Sequence, residues 1–179
     1  MPIIYSLKTA GRQYGAIFYI INQKLTISLF SVNNTNVIFH QMEKRVLFIC
    51  THNSARSQMA EGLMNALPGN QYESFSAGTE PSQVNPYAIK SMSEINIDIS
   101  SNHSKNIQEF EGMEFDYIIT VCDNANERCP VFLGGGKHIH KGFVDPSAAK
   151  GSDDQKLMAF RIVRDEIRDW IKMNFQSVK

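Results

Sequence analysis

From residue 45 onward, apolar and polar positions follow two alternating rhythms. Short apolar or alternating runs fall at residues 46–50, 72–77, 117–122 and 141–144, and each reads as a strand. Between and after them, apolar residues recur at helical spacing over 57–67, 85–95 and 152–175, with a short helical piece near 107–110. The last helix carries Leu157, Phe160, Ile162, Val163, Ile167, Trp170 and Ile171, a stripe expected to face the core. Strands that alternate with helices predict an α/β fold of three layers, a four-stranded parallel sheet flanked by helices. Such a sheet places its ligand site at the carboxyl ends of the strands.

Residues 1–41 follow a different pattern. Runs at 16–21 and 25–30, separated by Asn22 and Gln23, read as a β-hairpin, and Asn33-Asn34-Thr35-Asn36 as a polar turn. The expected organisation is therefore an N-terminal extension over 1–41, either a hairpin or without fixed structure, and one domain over 42–179. The N-terminal apolar stretch starts late, is short and lacks a convincing small-residue cleavage site, which argues against a secretory signal. Met42-Glu43-Lys44-Arg45 is a natural start for a protein opening on the strand at Val46, so translation is expected to begin at Met42. An intact mass that includes residues 1–41 would refute this.

The run 46–50 ends on Cys50. Thr51, His52, Asn53, Ser54 and Ala55 follow, then Arg56, then Ser57 at the head of a helical pattern. Strand, tight loop and helix N-terminus direct backbone N–H groups and the positive end of a helix dipole at one spot. A sulfur nucleophile there sits in an anion-binding cradle, and thiolate is its reactive form. Arg56 is spaced to fold back and grip a tetrahedral oxyanion with two parallel donors. Ser57 is placed to donate to the sulfur. Asn53 tolerates φ > 0 and can brace the loop through its amide. A buried structural cysteine beside an unrelated arginine is the bland alternative, and the agreement of strand, spacing and helix weighs against it.

Composition narrows the chemistry further. The chain has 179 residues, 42% hydrophobic and 20% charged, with a formal net charge of zero. Bulk electrostatics therefore favours neither nucleic acid nor an anionic membrane, and no apolar run approaches the length of a bilayer span. Three cysteines, all after residue 49, make a disulfide framework improbable and suit a cytoplasmic protein whose thiols react. Cys122 closes the run at 117–122, and Cys129 follows on a polar segment before Pro130. Two thiols at neighbouring strand ends, with a third on a loop, suggest a relay that passes a disulfide outward. An inert core thiol at Cys122, or a zinc set of Cys122, Cys129, His138 and His140, are the competing readings; the six-residue cysteine gap is wide for zinc. Asp145-Pro146 is a turn signal alone, but over such a pocket the carboxyl becomes a proton donor to a leaving oxygen. Gly134-Gly135-Gly136-Lys137 lacks the other marks of a nucleotide-phosphate loop and reads as a flexible segment. No ring chemistry can be assigned to His52 or His103.

Taken together, these residues resemble the thioredoxin-coupled arsenate reductases, which share the low-molecular-weight protein tyrosine phosphatase fold. The resemblance covers about residues 44–175. It rests on the stretch from Cys50 to Glu61, on Phe75-Ser76-Ala77-Gly78-Thr79, on the stretch from Val121 to Pro130, and on Gly142-Phe143-Val144-Asp145-Pro146. It implies that Cys50 attacks arsenate, Arg56 clamps the oxyanion and Asp145 is the general acid. It further implies that Cys122 attacks the Cys50–arsenic adduct and that Cys129 then takes over the bond to Cys122, exposing a disulfide to thioredoxin or a similar thiol reductant. Phosphate and sulfate are implied as competing oxyanions, and no tightly bound organic cofactor is implied. Some relatives hold potassium beneath the loop; Asn53, Glu61 and Ser76 match its ligand positions, whereas Ser104-Lys105-Asn106 does not clearly match a further aspartate. Lys141 also stands where many relatives have an aromatic residue. The alternative is a low-molecular-weight protein tyrosine phosphatase working through a phosphocysteine at Cys50. Such enzymes usually place tyrosines after Asp-Pro, where Ser147-Ala148-Ala149 stands here, and have no need of Cys122 and Cys129. A non-catalytic oxyanion-binding module is a third class.

Overall fold

The computed structural model describes residues 3–9, 12–21, 24–31, 34–39, 43–69, 71–122 and 135–175. The chain divides into two units, Met1–Glu43 and Lys44–Lys179. In the first, β1 (Ile3–Thr9), β2 (Arg12–Ile21), β3 (Lys24–Ser31) and β4 (Asn34–Phe39) pair antiparallel in that order. The runs read from sequence at 16–21 and 25–30 fall on β2 and β3, with Phe18 opposite Ile27.

The second unit is an α/β fold around four parallel strands. They are β5 (Lys44–Cys50), β6 (Tyr72–Gly78), β7 (Tyr117–Thr120) and β8 (Lys137–His140), in the order β6-β5-β7-β8. β5 lies inside the sheet with a layer on each face, so its residues from Val46 to Cys50 are all buried. Alternation then sorts them. Val46, Phe48 and Cys50 face a cluster with Met59, Met64, Met92, Phe160, Ile167 and Ile171 from α1 (Arg56–Asn65), α2 (Pro86–Ser93) and α3 (Asp153–Phe175). Leu47 and Ile49 face Phe110, Phe115 and Ile118, backed by Phe75 at 5.7 and 5.8 Å from the two phenylalanine rings. Phe110 belongs to a short 3-10 turn, Ile107–Phe110, which the sequence placed there as a short helix.

Three expectations change. The fourth strand is Lys137–His140 rather than 141–144, because the ladder to β7 runs from Tyr117 opposite Lys137 to Thr120 opposite His140. β8 is the edge strand and largely exposed, so it carries polar side chains where the sequence offered no apolar signal. The apolar pair at 143–144 instead splits: Phe143 turns into the core and Val144 is 66% exposed. On α3, Ile162 leaves the core stripe at 53% exposed, since it lies about 200° around the helix from Phe160. β7 also stops at Thr120, although Val121 still donates its N–H to the Ile49 carbonyl at 2.9 Å. Among the described residues, no helix is long and apolar enough to cross a membrane.

Candidate active site

Cys50 is the last residue of β5, and Arg56 is the first of α1. The five residues between them turn the chain over the carboxyl edge of the sheet. Their carbonyls are tied to the segment after β6: Thr51, His52 and Ser54 accept from the N–H groups of Glu80, Ser82 and Asn85 at 2.9, 3.1 and 2.9 Å. Gly78 at the end of β6 runs against the same loop. A Cβ there would lie 2.6 Å from the Thr51 carbonyl oxygen and 2.8 Å from the Asn53 nitrogen, so only glycine allows this approach. Ala55 has no side-chain oxygen with which to cap α1, and no acidic residue occupies the first turn, so the positive helix end suits an external anion.

Beneath the loop lies a buried polar network. Asn53 sits at φ 46°, is fully buried, and donates its backbone N–H to the Cys50 sulfur at 3.1 Å. The backbone N–H of Lys105 can only donate, and it meets Asn53 Oδ1 at 2.7 Å; Gln58 Nε2 donates to the same oxygen at 2.9 Å. That fixes which end of the Asn53 amide is oxygen. Its Nδ2 therefore donates to Ser57 Oγ at 2.9 Å and to Ser76 Oγ at 2.8 Å. The Ser57 hydroxyl also lies 3.0 Å from Cys50 Sγ, within hydrogen-bonding distance. Ser76 in turn donates to Glu61 Oε2, the carboxylate oxygen paired with Lys105 Nζ at 3.2 Å. A backbone amide and a hydroxyl thus converge on the sulfur.

Arg56 folds back as its spacing implies. It is 4% exposed, donates through one terminal nitrogen to the Phe143 carbonyl at 3.2 Å, and lies 3.7 Å through the other from Asp145 Oδ2. Asp145 caps the 3-10 turn Pro146–Ala148, accepting from the Ser147 N–H at 3.0 Å, so one carboxylate oxygen is anchored and the other turns to Arg56. Phe143 is wedged edge-on against Trp170 at 6.3 Å, with Lys141 Nζ 5.2 Å over its ring. Lys141 thus covers the ring that carries the Arg56-binding carbonyl.

Cys122 is fully buried, in the same cluster as Cys50, with its sulfur 3.9 Å from the carbonyl of Ile49, the residue preceding Cys50. Neither thiol is in a disulfide. Cys129 and Gly134 lie outside the described residues. His138 and His140 lie on β8, with His140 Nδ1 2.8 Å from Thr120 Oγ1. The competing zinc set includes Cys129 and so lies partly outside the described residues. Among the described residues, no group of three or more His, Cys, Asp or Glu side chains is placed to hold a metal ion. His52 is exposed, its Nδ1 3.1 Å from the Glu80 carbonyl, which requires that nitrogen to carry the proton. His103 contributes its carbonyl, accepting from Gln58 Nε2 at 3.0 Å. Gln58 and Lys105 are functional neighbours the sequence did not announce. Gln58 follows Arg56 and Ser57 in a helical pattern that does not set it apart, and Lys105 reads as an ordinary surface lysine.

Residues 45–179 match the low molecular weight phosphotyrosine protein phosphatase family. The chain belongs to this family. Within it, an arsenate reductase of Halalkalibacterium halodurans is 44% identical over 132 residues, which make up 73% of this chain and 95% of the relative. A solved arsenate reductase in the phosphate binding state superposes with a TM-score of 0.60 at 34% identity, covering 73% of this chain and 95% of that one. A thioredoxin-dependent arsenate reductase of Corynebacterium glutamicum superposes with a TM-score of 0.54 at 27% identity, covering 75% of this chain and 63% of that one. Family members thus carry both names, phosphatase and arsenate reductase.

Proposed function

We propose that this protein reduces arsenate to arsenite by a thiol relay. The observation that carries the reading is Cys122, buried with Cys50 in one cluster and lying against the carbonyl just before it. The backbone of the loop, the α1 N-terminus and Arg56 bind the oxyanion, with phosphate and sulfate as competitors. Cys50 attacks arsenic, and a hydroxyl leaves as water with the proton from Asp145, giving a Cys50–arsenic(V) thioester. The Cys122 thiolate then attacks the Cys50 sulfur. The sulfur–arsenic bond pair passes to arsenic, which leaves as arsenite in the trivalent state, and a Cys50–Cys122 disulfide remains. Cys129 attacks Cys122, frees Cys50 as thiolate and forms a Cys122–Cys129 disulfide. A dithiol reductant of the thioredoxin class supplies the two electrons that reset the pair.

The test compares wild type with Cys122→Ser and Cys129→Ser, measuring arsenite formed from arsenate with thioredoxin and its reducing system supplied. Wild type is expected to turn over repeatedly. Cys122→Ser should stop before arsenite release, and Cys129→Ser should stop after a single turnover. Variants that keep wild-type rates would refute the relay. A wild type that reduces no arsenate yet hydrolyses aryl phosphates, unaffected by either substitution, would assign the protein to the phosphatase branch. Weak phosphatase activity is expected in any case, because the same loop binds phosphate.

A further inference from the structure

The Glu61 carboxylate beneath the anion loop is neutralised by the chain itself. Lys105 Nζ lies 3.2 Å from Glu61 Oε2, and both side chains are only about one-seventh exposed, at 14% and 15%. The candidate potassium ligands are all committed elsewhere. Asn53 Oδ1, the oxygen a cation would use, already accepts from the Lys105 N–H at 2.7 Å and from Gln58 at 2.9 Å. Asn53 Nδ2 faces Ser76, and the Ser76 oxygen accepts from it while its proton goes to Glu61. A potassium ion set among these groups would meet N–H donors and stand close to an ammonium of its own sign. The residues do not fit the ion.

Lys105 is also held where it must be. Ser104 Oγ donates to the Asn53 carbonyl at 2.7 Å, the Lys105 carbonyl accepts from the Gly78 N–H at 2.9 Å, and Gly78 bridges in parallel to Asn106. Segment 104–106 thus lies beside the end of β6, and one residue meets the network twice, its N–H on Asn53 and its ammonium on Glu61. We propose that Lys105 is a tethered monovalent cation, a positioning residue that orders Glu61, Ser76 and Asn53 so that Ser57 is held against Cys50, and that the loop is organised without potassium. This rests on reading the Cys50 loop as the oxyanion site, but not on the thiol relay.

Phosphate binding by calorimetry and thermal melting, each in potassium chloride and in choline chloride at equal ionic strength, test the idea on the full chain. Wild type should give the same phosphate affinity and melting temperature in both salts. Lys105→Met, which keeps the stem and removes the charge, should bind phosphate about tenfold more weakly in choline. Potassium or methylammonium should restore part of that loss, and Lys105→Arg should retain more affinity than Lys105→Met. With arsenate, the loss in Lys105→Met should likewise be reversed by methylammonium. Wild type that binds phosphate more tightly in potassium than in choline would overturn the proposal, as would Lys105→Met with wild-type affinity. If Lys105→Met does not fold, the two-salt comparison on wild type still decides between a tethered and a free cation. A wild type that binds no phosphate in either salt would refute the oxyanion-loop reading itself, whereas failure of arsenate reduction alone would leave these measurements intact.

Discussion

The two arms of the site are built differently. On one side, the loop from Cys50 to Arg56 rests on Asn53, Ser57, Gln58 and Ser76, all fully buried and each hydrogen-bonded to at least one of the others. On the other, the segment from Phe143 to Asp145 has one buried anchor, an exposed Val144, and a carboxylate 35% exposed at 3.7 Å from Arg56. Buried polar groups are costly unless satisfied, so a network of this kind tolerates little displacement. The acid arm is held instead by its ring, by the Phe143 carbonyl on Arg56 and by the Ser147 N–H on Asp145, rather than by a buried network of side chains. In the proposed function, the cradle that matches a tetrahedral anion is thus held rigid, while the group that delivers the proton keeps room to adjust.

That contrast can be broken in graded steps. Arg56→Lys replaces a planar fork by a point charge and should lower kcat/KM for arsenate by about 10²- to 10³-fold, measured by steady-state arsenite release. Next comes Asn53→Ala, which strands the Lys105 N–H, Gln58 and Ser57 together and puts alanine at a left-handed φ. It should cost about 3 kcal/mol, seen as a melting temperature lower by roughly 10 °C. Asp145→Asn should reduce kcat by about 10²-fold yet leave melting nearly unchanged, because a long, partly exposed ion pair contributes little. Phosphate should bind it as well as or better than wild type, since a negative charge beside the anion is gone. If Asp145→Asn proves as unstable as Asn53→Ala, the distinction between a rigid cradle and an adjustable arm fails.

The smallest effect serves as a control distant in sequence from both arms. Glu94 is held below the usual carboxylate range, first by the two hydrogen bonds from Arg161 at 2.6 and 2.7 Å and then by the charges of Arg161 and Arg164. Its folded-state value is depressed, so its contribution is present above the ordinary pKa of 4.5 and is lost as pH falls through the lower folded value. Glu94→Gln should therefore flatten acid denaturation below about pH 4.5 slightly, while neutral-pH kinetics stay as in wild type. A change in kcat would show that α3 reaches the site more directly than its ion pairs suggest.

Most of the cradle was legible in the sequence because it is local. Cys50, Asn53, Arg56 and Ser57 fall within eight residues, and strand, loop and helix signals fix their mutual geometry. Ser57 beside the sulfur and Asn53 bracing the loop are local inferences of this kind: Ser57 Oγ lies 3.0 Å from Cys50 Sγ, and the Asn53 amide is bonded to Ser57 and Ser76. The support beneath it was not legible. Lys105 meets Asn53 across 52 positions, and nothing in its type separates a lysine under a loop from one in solvent. β8 was misplaced for the opposite reason: an exposed edge strand gives polar residues, and the nearby apolar Phe143 and Val144 belong to the acid arm. Parallel β5 was easy to see because burial on both faces leaves an unbroken apolar run.

The ring of Phe143 makes the acid arm a lever with its fulcrum in the hydrophobic core. Asp145 stands two residues beyond that pivot, about 7 Å along an extended chain. A tilt of roughly 10° about Phe143 would therefore carry the carboxylate about 1 Å, enough to close the 3.7 Å separation from Arg56 into a true hydrogen bond. The pivot's bearing is Trp170, on the long C-terminal helix. Trimming that indole would loosen the acid and, through the Phe143 carbonyl, the guanidinium as well.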